Sequence, residues 1–253
     1  MKTKFMSSKI GALALASVAL LHSASLSHAA VLVSENFTYD NGALTGKNGG
    51  TGFSNAWQTT GLSVTTGVAT GNADARRDFI GNPFGTSGII WLSFDWGFAS
   101  QPGENGSYGG LTFYNNGSET FLIGNTWPTV GHDKWSMSGA GVSSEINYGG
   151  MKTGVARITL GTGATSTVDL WVGATGAPVD VSGAALLRST TANMAGVNGI
   201  RIGGVDFGSN NANQSFDNLI IGTTMADVSA IPEPSAALLG GLGVLALLRR
   251  RRA

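Results

Sequence analysis

The chain has 253 residues, long enough for one large β domain, with 42% hydrophobic residues, only 12% charged residues and 39 glycines. It has no cysteine, which excludes disulfides, thiolate metal centres and a cysteine nucleophile. Seven of the 15 basic residues lie in the two ends, leaving eight against fourteen acids from Glu35 to Asp227; a body at about −6 argues against nucleic acid as a partner.

At the N-terminus, Lys2, Lys4 and Lys9 precede a short apolar run from Ile10 to Leu21. Ser27 and Ala29 then supply small residues three and one positions before a cleavage point. Residues 1–29 are expected to be a signal peptide, with a signal helix, removed by signal peptidase after Ala29. The apolar run is too short for a retained membrane anchor.

The body from 31 to 224 reads as short strands between turns. Leu62–Ala69 is one strand candidate, and Arg76-Arg77-Asp78 reads as a solvated turn. Ile89–Phe98 is the clearest strand: Ile90, Leu92, Phe94, Trp96 and Phe98 fall on one face, and Trp91, Ser93, Asp95 and Gly97 on the other. Further candidates are Gly110–Tyr114, Thr120–Gly124, Lys134–Met137, Val155–Leu160, Thr167–Val172, Ile200–Val205 and Ser215–Gly222. Glycine and asparagine turns such as Asn115-Asn116-Gly117-Ser118 separate them. One short helix is predicted over Gly183–Arg188. Short strands at this spacing predict an all-β antiparallel β-sandwich in one domain, 31–224, followed by a linker over 225–230.

The C-terminus reads Ile231-Pro232-Glu233-Pro234-Ser235, then an apolar stretch from Ala236 to Leu248, then Arg249, Arg250, Arg251 and Arg252. Thirteen apolar residues make a short helix of about 20 Å, which spans a membrane only with tilt and thinning. The arginines stay cytoplasmic by the positive-inside bias, so the body is expected outside. These residues over 231–253 resemble the PEP-CTERM sorting signal of Gram-negative bacteria, with Pro232, Glu233 and Pro234 ahead of the apolar helix and the terminal arginine cluster. The resemblance implies recognition by an exosortase, transient anchoring in the inner membrane, removal of the tail, and association with exopolysaccharide and biofilm at the cell surface.

Phe37 to Trp57, with Asp40-Asn41-Gly42 and Asn48-Gly49-Gly50, resembles the opening of exported bacterial β-sandwich proteins. Val168–Val172 is similar to a middle strand of that group, and Ser215–Gly222 to its closing strand. The group is the concanavalin A-like, laminin G-like jelly rolls, and the resemblance implies that fold. The fold hosts lectins, hydrolases and adhesion modules alike, so it does not choose a function.

Candidate chemistry is sparse. His132 is the one histidine of the body, lies in a polar turn, and has no Gly-x-Ser-x-Gly elbow to serve. Glycoside hydrolysis needs two facing carboxyl groups, and the Glu-x-Asp-x-x-Glu strand pattern of jelly-roll glucanases is absent. Calcium is the candidate inorganic ligand, through Glu35 and Asp217 on the first and last strands. Trp91, Trp127 and Trp135 are the candidate glycan contacts, with burial in the core as the alternative for each. The sequence thus predicts an exported, non-enzymatic surface or matrix protein without a cofactor. A lectin-like glycan-binding module is the alternative, ahead of a glycoside hydrolase or polysaccharide lyase.

Overall fold

The computed structural model describes residues 30–229 apart from 60, 100–106, 127–133, 141–143, 148, 162–164 and 207–211. The expected signal peptide, the expected sorting segment, Trp127 and His132 lie outside the described residues.

Two antiparallel sheets pack face to face. The nine-stranded sheet runs, in spatial order, β13 (Leu187–Ala192), β12 (Ser166–Ala174), β11 (Lys152–Leu160), β7 (Gly88–Phe98), β15 (Gln214–Gly222), β5 (Val68–Gly71), β4 (Ser63–Thr65) and β2 (Gly42–Ala43). Its ninth strand, β1 (Val31–Glu35), pairs with the second half of β15 while β5 takes the first half. The six-stranded sheet runs β10 (Ser136–Met137), β9 (Ser118–Asn125), β8 (Ser107–Asn115), β14 (Gly199–Asp206), β6 (Asp74–Asp78) and β3 (Gln58–Thr59). The predicted all-β sandwich is the architecture observed.

The core fills the space between the sheets. Leu92, Phe94 and Trp96 of β7, Leu170 of β12 and Phe216 of β15 meet Leu111, Phe113, Ile123, Ile200 and Ile202 of the other sheet. Phe94 stacks on Phe216 with centroids 5.4 Å apart. Each such side chain contributes about 1.5–3 kcal/mol by leaving water. A polar clamp crosses this layer: Trp96 Nε1 donates to Gln214 Oε1 (2.8 Å), and Gln214 Nε2 donates to the carbonyl of Tyr108 (3.0 Å). The clamp requires Gly109, where a Cβ would lie 1.9 Å from the Gln214 amide.

Several elements differ from expectation. Leu62–Ala69 is a hairpin, turning at Thr66 and Gly67 with φ of 49° and 81°, so β4 and β5 replace one strand. Gly183–Arg188 is not a helix: Leu187 and Arg188 pair with Leu170 and Asp169, and Leu186 N–H donates to the Leu170 carbonyl. Sheet pairing outweighs the local alanine propensity there. Arg76-Arg77-Asp78 is strand β6, with its arginines on opposite faces of the sheet. Residues 225–228, inside the expected linker, form a helical turn, α1 (Met225–Val228), docked on β15 and β7 and closed by a Thr224/Asp227 capping box.

Candidate functional site

The residues singled out in the sequence do not converge. Trp135 is fully buried, 5.1 Å from the Trp96 ring and 5.8 Å from the Phe94 ring. Its expected role as an exposed glycan platform is corrected: the edge of the core claims it. Trp91 is half-buried on the outer face of the nine-stranded sheet, stacked on Trp171 at 6.1 Å. Trp91 therefore does stand where a ligand can reach it.

Glu35 and Asp217 sit on neighbouring strands, but the Glu35 carboxylate faces the protein. Its Oε1 accepts from the Phe37 N–H (3.0 Å), and its Oε2 from Tyr39 Oη (2.6 Å), Trp57 Nε1 (3.0 Å) and Arg77 Nη1 (2.9 Å). A cation at Glu35 would compete with Arg77 for the same oxygen. Asp217 lies opposite Asp95 in register, beside a bulge at Asn218, whose φ is 51°. Burial pushes the Asp217 carboxyl up to about 6; the Asn218 N–H opposes this, and the negative charges of Asp95 and Glu35 add to it. Among the described residues no three histidine, aspartate or glutamate side chains gather as a metal cluster.

The arrangement with the most chemistry lies on the outer face of the six-stranded sheet. Period-two alternation in β8 turns Leu111 and Phe113 into the core and Tyr108, Thr112 and Tyr114 toward the outer face, where Thr112 and Tyr114 are covered at 1% and 8% exposed. The same rule turns Arg201 outward between Ile200 and Ile202 on β14, and Asp74 and Arg76 outward around Ala75 on β6. In register, Gln58, Arg76, Arg201, Thr112 and Leu122 form one row across five strands. The adjacent row is Asp74, Gly203, Gly110, Gly124 and Ser136. Three glycines leave this second row bare.

Tyr108 exploits that bareness. It starts on β8, crosses β14 where Gly203 and Gly204 raise no side chain, and donates its hydroxyl to Asp74 Oδ2 on β6 (3.0 Å). The Arg201 guanidinium lies 5.0 Å from the Tyr108 ring centre and 5.6 Å from that of Tyr114, and Arg76 lies 4.6 Å from Tyr114. Arg201 also reaches Glu119 Oε2 (3.0 Å), Thr112 Oγ1 (3.3 Å) and Asp74 Oδ2 (3.8 Å). The result is a ridge of alternating guanidinium and phenol faces, fixed by carboxylates at its sides.

Grooves flank the ridge. One, of about 250 Å³, is lined by Tyr108, Glu119, Leu122, Thr126, Ser138 and Arg201. The other, of about 600 Å³, lies between Asp74, Arg76 and Gln58 and the loop residues Thr45, Gly46 and Asn55. Burial and the negative charge of Asp74 push the Tyr108 hydroxyl up to about 12, against the pull of Arg201. Burial likewise raises Tyr114. Tyr108 is thus a proton donor at neutral pH and not a ready base.

No family model matches the sequence, and none of the curated proteins does. Among solved structures the chain is similar to an endo-β-1,4-glucuronan lyase from the fungus Trichoderma reesei, at 12% identity and a TM-score of 0.46, over 78% of this chain and 96% of that one. It is also similar to alginate lyase Aly36B, at 15% identity and a TM-score of 0.40, over 75% and 95%. A third similarity is to the structure described as HCR/D-Sa-GBL1/C, at 10% identity and a TM-score of 0.50, over 78% of this chain and about half (49%) of that one. Likeness at these identities shows a shared sandwich fold and no more. It corrects one expectation nonetheless. Polysaccharide lyases stand among the structures this chain is similar to, so the non-enzymatic expectation, which rested on the lack of a triad, a nucleophile elbow and a glucanase pattern, is corrected and not kept.

Proposed function

We propose that the sandwich engages a hydroxyl-rich polysaccharide across the outer face of its six-stranded sheet. The observation that carries this reading is the Arg76–Tyr114–Arg201–Tyr108 ridge, braced by Asp74 and Glu119 between two open grooves. Sugar rings present C–H faces that pack on the Tyr108 ring and on the guanidinium planes, and hydroxyls that donate to carboxylates. Because the two arginines are outnumbered by Asp74, Asp78 and Glu119, the face favours an uncharged sugar over an anionic one. The side chains are already fixed by their own hydrogen bonds, so little rotamer freedom is lost on binding. Glycan-array binding by the purified chain tests the reading. Tyr108→Ala and Arg76→Ala should each weaken binding about tenfold, the loss of one stacking contact. A chain that holds no glycan, or variants that bind as well as the parent, would overturn it.

Cleavage is a second reading, favoured by the Tyr108 hydroxyl on Asp74 directly beside Arg201. On a uronate, Arg201 would offset the sugar carboxylate's charge, the Asp74 carboxylate would take the neighbouring proton, the C–O bond would break, and Tyr108 would give its proton to the leaving oxygen. The same preparations incubated with glucuronan or alginate distinguish the readings: unsaturated ends appearing by ultraviolet absorbance, and lost in Tyr108→Phe, select cleavage.

We further infer that this body works outside the cell, freed of residues 1–29 and delivered through the segment 231–253. The motif of Pro232, Glu233 and Pro234 ahead of an apolar stretch and Arg249 to Arg252 supports sorting by an exosortase. Substituting Pro232 and Glu233 together by alanine should leave the tail attached, read as a heavier membrane-bound species on immunoblots. Normal release would refute the sorting step.

A further inference from the structure

The opposite face of the sandwich carries an arrangement of different charge. Trp91 on β7, Arg157 on β11, Asp169 on β12 and Arg188 on β13 are consecutive partners in register. All four point outward, since Leu92, Ile158, Leu170 and Leu187 of the same strands belong to the core. Three strand spacings make the row about 14 Å long.

Asp169 lies beneath the row, 1% exposed, with one arginine on each oxygen: Arg188 Nε on Oδ1 and Arg157 Nη2 on Oδ2 (2.7 Å). Burial pushes this carboxyl up, but the hydrogen bonds from Arg188 and Arg157 outweigh it and hold it below the usual range. Asp169 is therefore a permanent anion shared by two cations. One positive charge is left over on this patch of a body that is otherwise acidic. The arginine side chains are 36% and 59% exposed, and Arg188 spends only its Nε on Asp169. The Arg157 guanidinium lies beside the stacked Trp91 and Trp171 rings, 5.9 and 5.8 Å from their centres. Trp171 is in turn anchored through its Nε1 to the Gly183 carbonyl (3.2 Å). A half-buried indole is thus held beside Arg157, with Arg188 at the far end of the row.

We propose that this row is a second carbohydrate site, on the face opposite the ridge, and that it takes a carboxylate-bearing polysaccharide. The Trp91 ring receives the C–H face of one sugar. The exposed guanidinium edges of Arg157 and Arg188 accept the carboxylate in two-pronged fashion, with Asp169 keeping both forks in place. The site stands on its own residues. Its consequence, that one molecule bridges two polysaccharide strands, rests also on the reading of the six-stranded face.

Electrophoresis of the purified full chain through gels containing polygalacturonate, with dextran gels as the neutral comparison, tests the site. Polygalacturonate should retard the parent chain, and added salt should weaken the retardation. Trp91→Ala and Arg188→Gln should each weaken it about tenfold, Arg188→Lys less, and Tyr108→Ala not at all. Asp169 keeps Arg157 in Arg188→Gln, and thermal melting reports whether Arg188→Gln and Trp91→Ala keep the fold. An unretarded parent overturns the site, as does retardation that survives both Trp91→Ala and Arg188→Gln, or that is lost in Tyr108→Ala. Retardation by polygalacturonate without any glycan bound at the ridge would leave this site standing and remove only the bridging.

Discussion

Arg77 is the one cation among the described residues that the sandwich buries, at 2% exposed, and each of its three nitrogens donates. Nη1 reaches Glu35 and the Gly49 carbonyl (2.8 Å), Nη2 reaches Asn48 Oδ1 (2.7 Å), and Nε reaches the Asn55 carbonyl (2.6 Å). The rings of Phe53 and Trp57 close over it at 4.2 and 5.5 Å. This knot orders the loop from Asn48 to Trp57, and that loop walls the larger groove beside Arg76. Breaking one side of a buried pair strands the other, so Glu35→Ala should cost about 3–5 kcal/mol in urea unfolding. Arg77→Met should cost a similar amount, because Glu35 would keep neutral donors but lose its counter-charge. Combining Glu35→Leu with Arg77→Met should recover part of the loss. It should not recover all of it, since Tyr39, Trp57 and the Phe37 N–H would lack their acceptor. A Glu35→Ala protein that unfolds at the parent's urea midpoint would show that the pair contributes nothing.

Strand by strand, legibility followed the identity of the inward residue. β7 could be read because every second residue from Ile90 to Phe98 is apolar and buried. The β8–β9 turn could be read because Asn116-Gly117 suits a two-residue hairpin, and both take the left-handed conformation, with φ of 48° and 86°. β6 could not be read, because its inward positions are Ala75 and Arg77: a buried arginine makes a core-facing strand look like a charged turn. The glycine row was hidden for a similar reason. Gly110 and Gly124 end the expected strands Gly110–Tyr114 and Thr120–Gly124, yet they face each other mid-sheet with φ of 125° and 145°. A Cβ at Gly110 would fall 2.1 Å from the Ile123 carbonyl, so the close approach of β8 and β9 admits no side chain there. The ridge is not legible in the sequence because its parts come from residues 74–76, 108–119 and 201, and only pairing of β6, β14 and β8 brings them together. Alternation alone could have exposed half of it, since the period that buries Leu111 and Phe113 also presents Tyr108, Thr112 and Tyr114.

At the scale of the whole molecule, the first and last described segments meet. The Ala30 N–H donates to Thr223 Oγ1 (3.4 Å), the Thr223 N–H donates to the Ala30 carbonyl (3.3 Å), and β1 lies along β15. Closing the sandwich therefore requires a contact across nearly the entire body, a slow step in folding but not a costly one at equilibrium, because loop-closure entropy grows only logarithmically. Adjacent ends also mean that the order of strands along the chain can be cut elsewhere. Thr66-Gly67 is the place to cut. The turn is exposed at Thr66, lies in the β4–β5 hairpin away from the ridge and the Trp91 row, and holds a β-branched residue at φ 49°, which opening relieves. A permuted chain with Ser229 joined to Ala30 by a short glycine-serine linker and opened between Thr66 and Gly67 should fold. Its loss should be no more than about 2 kcal/mol in urea unfolding, with an unchanged near-ultraviolet dichroism spectrum. Opening instead between Phe94 and Asp95 should abolish that spectrum, because β7 pairs with β11 on one side and β15 on the other and carries Phe94 into the core. If the chain opened at Thr66 failed while the chain opened at Phe94 survived, the β4–β5 turn and not β7 would be the indispensable element.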